Sequence, residues 1–212
     1  MRETRLIVAL PKGRLGEDAL ATLRTIGYAQ NIPDKTRRLI MQDADHDVTY
    51  LFVKPVDVIT YVEQGVADVG IIGLDSLLEA DADVYTLADL GFGQCRFAVA
   101  GPLKKTGSAP GKTWRIATKY PRVTAQYYAK TNRTVEIIKL NGSVELAPLV
   151  GLSDAIVDIV ETGSTLKANG LEIYEEMFAL SARLIANRAS YRLKYPLFKA
   201  LLQKLDAERE DA

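Results

Sequence analysis

The chain has 212 residues, of which 48% are hydrophobic and 25% are charged. This length and composition are typical of a globular protein with one large domain or two smaller lobes. The 27 lysines and arginines balance the 27 aspartates and glutamates, so the chain has no overall field that favours nucleic acid or an anionic membrane.

The sequence also indicates in which cellular compartment the protein is found. A single cysteine, Cys95, excludes an internal disulfide and a thiolate metal cluster. No stretch approaches the roughly 20 apolar residues of a membrane span. The apolar segment within residues 1–11 is too short for a signal peptide. We therefore expect a cytoplasmic protein.

Short hydrophobic runs alternate with helical patterns, which predicts an α/β fold with largely parallel strands. An Asp-rich turn at residues 43–47 indicates a hairpin, and Pro55 suits the first position of a helix. The elements predicted for the first half are strands at residues 6–10, 38–42, 48–53 and 69–72 and helices at residues 16–26, 55–64 and 75–80.

The second half repeats this plan. Its predicted elements are strands at residues 97–100, 115–117 and 135–140, helices at 123–130 and 144–150, a surface loop at 101–112, a turn at 119–122, a cap at 141–143, a strand at 178–186 and a helix at 196–209. Two similar lobes should face each other across a cleft, because ligands bind outside the carboxyl ends of strands in such sheets. We expect a discontinuous first lobe (residues 1–92 and 178–212) and a second lobe (residues 93–177).

Residues 154–166 form the most informative segment. A β-branched strand ends there in a turn of four residues, Thr162, Gly163, Ser164 and Thr165, and a helix begins. Backbone N–H groups, hydroxyls and the positive end of the helix dipole converge at such a turn, which suits a phosphate. The alternative is an ordinary strand-to-helix turn with hydroxyl caps.

Three carboxylates, Asp154, Asp158 and Glu161, lie in or directly after the same strand. They can hold sugar hydroxyls or Mg²⁺. Together with the turn they predict a phosphorylated sugar as ligand. Asp75 follows another apolar strand, where it can cap the next helix or contact a ligand.

Cations follow the first strand. Gly13 lets the backbone approach a ligand, and Lys12 and Arg14 beside it suit a pyrophosphate. A solvated basic turn is the alternative, as it is for Lys119 and Arg122 in the second half. Further cations next to strands are Arg37, Arg38, Lys54 and Arg96.

Histidine and cysteine chemistry has little support. His46, the only histidine, lies in the hairpin turn without a partner at metal-ligand spacing, and we expect a solvated loop residue. No arrangement of Ser, His and Asp or of Cys and His suggests a nucleophile. The chemistry must therefore proceed without a histidine base.

The segment and its surroundings resemble the ATP phosphoribosyltransferase family. The residues that match the spaced signature of this family are Glu145, Gly151, Ser153, Ile156, Asp158, Ile159, Thr162, Gly163, Thr165 and Leu166. Five further stretches resemble the family in order: residues 9–15, 65–75, 91–96, 137–148 and 181–185.

The resemblance implies the first step of histidine biosynthesis, in which ATP and phosphoribosyl pyrophosphate give phosphoribosyl-ATP and pyrophosphate. It implies a two-lobed fold like that of type II periplasmic binding proteins, and Mg²⁺ carried by the substrates. The length resembles the short form of the family, which lacks a C-terminal regulatory domain. Short-form enzymes are similar in requiring a regulatory subunit related to histidyl-tRNA synthetase, so we expect a hetero-oligomer with self-association.

The resemblance also implies roles for the candidate site residues. Residues 162–165 would bind the 5′-phosphate with Glu161 beside them, and Asp154 and Asp158 would hold ribose hydroxyls or orient the turn. Catalytic cations would be Lys12, Arg14 and Lys54, and ATP would be bound by Lys12, Gly13, Asp75 and Arg96. Lys54 departs from the arginine expected in the family and loses its bidentate fork.

Two other functions fit parts of the pattern. A non-enzymatic binding protein can share the two-lobed fold, although no signal peptide supports it. A nucleobase phosphoribosyltransferase uses a similar acidic loop, but that loop usually lies on a single sheet.

Overall fold

The computed structural model describes residues 5–33, 36–103 and 113–210. It divides into two compact units: unit 1 is Met1–Gly93 with Ser181–Ala212, and unit 2 is Gln94–Leu180. The chain therefore leaves unit 1 once and returns to it once. The sequence placed these crossings after residues 92 and 177, and the second crossing lies three residues later because a strand of unit 2 runs to Leu180.

The elements follow in chain order. Up to the first crossing they are β1 (Leu6–Pro11), α1 (Arg14–Thr25), β2 (Ile40–Asp43), β3 (Val48–Val53), α2 (Pro55–Glu63), β4 (Val69–Gly73), α3 (Leu74–Ala80) and β5 (Val84–Asp89). Unit 2 contains β6 (Cys95–Pro102), β7 (Trp114–Thr118), α4 (Pro121–Lys130), β8 (Val135–Lys139), α5 (Leu146–Leu149), β9 (Ala155–Val160), α6 (Ser164–Ala168) and β10 (Leu171–Leu180). The return to unit 1 adds β11 (Ala182–Asn187), α7 (Arg188–Leu193) and α8 (Tyr195–Glu210).

Each unit is built on one mixed sheet. The order is β2-β3-β1-β4-β11-β5 in unit 1 and β10-β6-β9-β7-β8 in unit 2. In unit 1, β1 is parallel to β3 and β4, and β11 runs antiparallel to β4 and β5. In unit 2, β7 is parallel to β8 and β9, and β6 runs antiparallel to β9 and β10. The expected largely parallel sheets are therefore three parallel strands extended by antiparallel ones.

The two sheets share one plan, which confirms the repeat of topology. Each sheet contains three adjacent parallel strands in the order second, first, third. The next strand in each sheet, β11 or β6, is the first strand after a crossing, and β5 or β10 completes the edge. Unit 1 adds the hairpin strand β2, which pairs with β3 around the predicted Asp-rich turn.

The turn between β1 and α1 is positioned by a buried strand and by one glycine. Five of the six residues of β1 are buried, including Leu10 at 0% exposure, because helices cover both faces of a central strand. Helix α1 starts directly over the end of β1. A Cβ on Gly16 would lie 1.7 Å from the Pro11 carbonyl oxygen, so only glycine permits this close approach.

Several predicted elements were wrong in extent. The strand predicted at residues 178–186 is divided between β10, which pairs with β6, and β11, which pairs with β4 in the other unit. The predicted turn at 119–122 is shorter because α4 begins at Pro121, and the predicted helix at 144–150 is the single turn α5. Strand β5, most of β10 and helix α7 were not predicted from the sequence.

Residues 104–112 of the predicted surface loop lie outside the described residues. None of the helices in the described part of the chain combines the length and the apolar character of a membrane span.

Candidate active site

Two lysines lie together at the carboxyl edge of the unit 1 sheet. Parallel pairing brings Pro11 at the end of β1 opposite Val53 at the end of β3, so Lys12 and Lys54 follow at the same edge. The Lys12 backbone N–H donates to the Val53 carbonyl at 2.8 Å. Both side chains are exposed, and two of the predicted catalytic cations are thus adjacent.

Gly13 forms the start of α1. Its φ of 91° is a left-handed value that favours glycine, and its carbonyl accepts from the N–H groups of Gly16 and Glu17 at 2.9 and 3.1 Å. Arg14 is exposed in the first turn of the helix. A cavity of about 200 Å³ adjoins the turn, and its lining residues are Pro11, Lys12, Gly13, Gly16, Glu17, Leu20, Thr36 and Phe52.

Asp75 is the second residue of α3, so it lies in the first turn rather than at the N-cap, which is Gly73. The Ser76 hydroxyl donates to Asp75 Oδ2 at 3.2 Å. A Cβ on Gly73 would lie 2.2 Å from Asp75 Oδ1, so the carboxylate folds back over this glycine at the start of the helix.

The 162–165 turn of unit 2 joins β9 to α6. Gly163 is the N-cap with a φ of 78°, and its carbonyl accepts from the Lys167 N–H at 3.0 Å. Thr162 Oγ1 accepts from the Ser164 N–H at 3.3 Å and donates to Ser164 Oγ at 3.0 Å. The first turn of α6 carries no acidic residue, and Thr162, Ser164 and Thr165 are exposed. The turn therefore presents hydroxyls and helix-start N–H groups to solvent.

Arg96 lies beside this turn. It occupies β6 opposite Val160, the last residue of β9. Its Nη1 donates to the Glu161 carbonyl at 3.2 Å, and its Nε lies 2.7 Å from Glu176 Oε1 on β10. The sequence grouped Arg96 with Lys12 and Asp75, whereas the structure places it in the unit of the 162–165 turn. The sequence does not predict Glu176 as a partner of Arg96, because no local pattern marks a residue 80 positions away.

The structure separates the three carboxylates of the segment. Glu161 directly precedes the turn and is exposed. Asp158 is half-buried on the strand face of Ile156 and Val160, and its Oδ1 accepts from the Ile159 N–H at 2.8 Å. Asp154 precedes β9, so it lies at the other end of that strand, roughly 20 Å from the turn at about 3.3 Å per residue.

Asp154 instead pairs with Arg115 on the neighbouring strand β7. Its Oδ2 accepts from the Arg115 backbone N–H at 2.9 Å, and its Oδ1 accepts from Arg115 Nη2 at 3.2 Å. The same hydrogen bonds raise the pKa of the Arg115 guanidinium. The expectation that Asp154 holds ribose hydroxyls near the turn is therefore corrected: this carboxylate joins two strands.

Other candidates have local partners. His46 is not a solvated loop residue, because its Nδ1 lies 3.3 Å from Asp43 Oδ2 and its ring packs 4.7 Å from that of Tyr28. Lys119 lies over the Tyr120 ring at 5.7 Å, and Arg122 belongs to the first turn of α4. Within residues 5–33, 36–103 and 113–210, no group of three or more His, Cys, Asp or Glu residues is arranged to hold a metal ion.

Comparison with known proteins identifies the family to which this chain belongs. The model of the family described as HisG, ATP phosphoribosyltransferase, matches residues 54–207. The chain belongs to the ATP phosphoribosyltransferase family. An ATP phosphoribosyltransferase of Clostridioides difficile is 51% identical over 93% of this chain and 95% of its own length. Another, from Caldicellulosiruptor bescii, is 52% identical over 89% of this chain and 92% of its own length.

Solved structures show the same fold. The ATP phosphoribosyl transferase (HisG:HisZ) complex from Thermotoga maritima contains a chain with a TM-score of 0.81 and 40% identity, covering 98% of this chain and 100% of that one. The alkanesulfonate-binding protein SsuA from Xanthomonas axonopodis has a TM-score of 0.58 at 14% identity, over 96% of this chain and 72% of its own. This second likeness concerns the fold alone and agrees with the expected architecture of type II periplasmic binding proteins.

Proposed function

We propose that this chain transfers the 5-phosphoribosyl group of phosphoribosyl pyrophosphate to N1 of ATP and releases pyrophosphate, the first step of histidine biosynthesis. The adenine N1 lone pair forms the bond to C1 of the ribose while the bond from C1 to the pyrophosphate oxygen breaks. Membership of the family and similarity at about 50% identity over nearly the whole chain support this reaction. A cytoplasmic location fits a biosynthetic enzyme of this kind.

The observation that carries the proposal is the open 162–165 turn. A phosphate there would accept hydrogen bonds from Thr162, Ser164 and Thr165 and from the N–H groups at the start of α6, while Gly163 allows the left-handed backbone that opens the turn. No acidic residue in the first turn of α6 competes with the anion. We assign the 5′-phosphate of phosphoribosyl pyrophosphate to this turn.

The carboxylates near the turn would bind the ribose. Glu161 directly precedes the turn, and Asp158 lies on β9 only three residues earlier, half-buried but still accessible. Carboxylate oxygens accept hydrogen bonds from sugar hydroxyls. Asp154 has no place in this assignment, because its carboxylate bonds Arg115 at the other end of the strand.

The lysines and arginine of unit 1 would neutralise the leaving group. Lys12 and Lys54 lie at one sheet edge, with Arg14 exposed in the adjoining helix turn. Together with Mg²⁺ carried by the substrates, they would offset the charge that pyrophosphate gains as it leaves. Lys12, Gly13 and Asp75 are assigned to ATP.

The reaction does not require a strong general base. Adenine N1 already has a lone pair, so positioning of the substrates and neutralisation of pyrophosphate can supply most of the acceleration. This agrees with His46, whose ring contacts Asp43 and Tyr28 rather than any proposed site residue.

We also expect this chain to bind a second kind of subunit. The solved relative from Thermotoga maritima is a complex of HisG with HisZ, and the alignment covers all of its matched chain. We propose that this chain likewise binds a second kind of subunit, a regulatory subunit related to histidyl-tRNA synthetase, and that it also self-associates.

The test is release of pyrophosphate from ATP and phosphoribosyl pyrophosphate with Mg²⁺, measured with and without the regulatory subunit. Phosphoribosyl-ATP and pyrophosphate should appear in equal amounts. A parallel reaction with adenine in place of ATP should give no product. Absence of product from ATP under both conditions, or a preference for adenine, would overturn the proposed function.

A further inference from the structure

Arg96 connects three segments of unit 2 that are distant in the sequence. It lies on β6, its Nη1 donates to the carbonyl of Glu161, and its Nε forms an ion pair with Glu176 on the edge strand β10. The antiparallel register places Arg96 opposite both Val160 of β9 and Ala179 of β10. The guanidinium thus bridges the edge strand and Glu161, the residue directly before the 162–165 turn.

The bond to Glu161 determines how the next donor is oriented. A peptide unit is planar and trans, so its carbonyl and its N–H point in opposite directions. When Arg96 holds the Glu161 carbonyl on the β6 side, the N–H of Thr162 must point away from β6. Thr162 is the first hydroxyl residue of the 162–165 turn.

We propose that Arg96, held by Glu176, is a positioning residue that orients the 162–165 turn for the phosphate of phosphoribosyl pyrophosphate. This inference rests on the proposed function. Arg96 acts on the turn through its backbone, and Glu176 keeps the guanidinium in place. Arg96 then affects the binding of phosphoribosyl pyrophosphate rather than that of ATP.

The geometry requires an arginine. One nitrogen of the fork bonds the Glu161 carbonyl while another meets the Glu176 carboxylate, and an ammonium group on a lysine stem cannot reproduce this fixed spacing. A residue that attracted phosphate only by its charge would tolerate lysine. Loss of the carboxylate partner would also strengthen such a residue, because its positive charge would no longer be offset.

The experiment compares Arg96→Ala, Arg96→Lys and Glu176→Gln with the wild-type chain, assayed together with its regulatory subunit. Arg96→Ala should raise KM for phosphoribosyl pyrophosphate about tenfold, equivalent to the loss of one good hydrogen bond, with kcat and KM for ATP changed less than about twofold. Arg96→Lys should show nearly the same defect. Glu176→Gln should raise the same KM about threefold, and the double variant should be no worse than Arg96→Ala.

Glu172→Gln is the matched control, because it neutralises another glutamate on β10 and should leave all constants unchanged. Titration calorimetry with phosphoribosyl pyrophosphate and Mg²⁺ gives a readout besides activity, and circular dichroism shows whether each variant folds. If Arg96→Ala misfolds, Glu176→Gln alone decides.

Opposite results would overturn the inference. Full rescue by Arg96→Lys, tighter binding in Glu176→Gln, or a rise in KM for ATP alone would make Arg96 a direct substrate contact. Unchanged affinity for phosphoribosyl pyrophosphate in both Arg96→Ala and Glu176→Gln would remove any positioning role. In each of these cases an active wild-type chain would leave the proposed function intact.

Discussion

In each unit the third parallel strand is followed directly by a helix, and the first turns of these two helices differ in charge. In unit 1, β4 leads into α3, whose second residue is Asp75, and this carboxylate folds back over Gly73. In unit 2, β9 leads into α6, whose second residue is Thr165, and the first turn has no acid. One helix start supplies its own anion, whereas the other is open to an external anion. The same topology thus yields two chemistries through one residue.

The largest effect on the binding of phosphoribosyl pyrophosphate should come from placing an acidic residue in the first turn of α6, as in the first turn of α3. Thr165→Asp places a carboxylate at the position that corresponds to Asp75. Its charge should repel the phosphate and lower the affinity for phosphoribosyl pyrophosphate by at least about a hundredfold, while folding is preserved because helix starts favour acids. Titration calorimetry measures the affinity. Thr165→Ser, which keeps the hydroxyl, serves as the control, and an unchanged affinity in the aspartate variant would refute the comparison.

Removal of single hydroxyls should have the next largest effect. A hydrogen bond to a charged group contributes about 1.5–3 kcal/mol, so Thr162→Ala and Thr165→Ala should each weaken binding of phosphoribosyl pyrophosphate roughly ten- to hundredfold. Thr60→Ala, on the exposed surface of α2, should leave binding unchanged. Wild-type kinetics in both turn variants would exclude the assigned phosphate site.

The two glycines of these turns should respond differently to alanine. Gly163 has a φ of 78°, so Gly163→Ala should lower the free energy of unfolding by about 1–2 kcal/mol and weaken phosphate binding about tenfold. Gly73 has a φ of −68°, which suits alanine, and its only obstacle is the Asp75 side chain. Gly73→Ala should therefore cost less, and Gly73→Ala with Asp75→Ala should remove the remaining clash. Denaturant unfolding measures these changes, and equal costs at both glycines would contradict the backbone argument.

The smallest effect on function should come from Asp154, at the far end of β9. Asp154→Asn should lower the free energy of unfolding by about 1–2 kcal/mol, because it removes the charge that pairs with Arg115. The Asp154 side chain is only 13% exposed. KM for phosphoribosyl pyrophosphate should change less than about twofold. A large rise in KM at normal stability would return Asp154 to the binding site.

Local patterns explain what the sequence could predict. Pro55 at a helix start and the Thr-Gly-Ser-Thr run at 162–165 depend on neighbours in the chain, and both appear in the structure where they were expected. The resemblance to the family then narrowed the expected ligand of the 162–165 turn to a ribose phosphate.

Long-range partners explain what the sequence could not predict. Asp154 bonds Arg115 across 39 residues, and Arg96 meets Glu176 across 80, so neither role has a local signal. Residues 178–186 likewise contain no glycine or proline to mark a break, although Ser181 separates a strand of unit 2 from a strand of unit 1. Strand pairing, rather than local composition, decides that boundary.

A crystal structure with phosphoribosyl pyrophosphate and Mg²⁺ would test the central assignment most directly. We predict that the 5′-phosphate oxygens lie within hydrogen-bond distance of the Thr162 and Thr165 hydroxyls and of N–H groups at the start of α6. A 5′-phosphate bound elsewhere, for example against Lys12 and Arg14, with the 162–165 turn empty, would contradict the account.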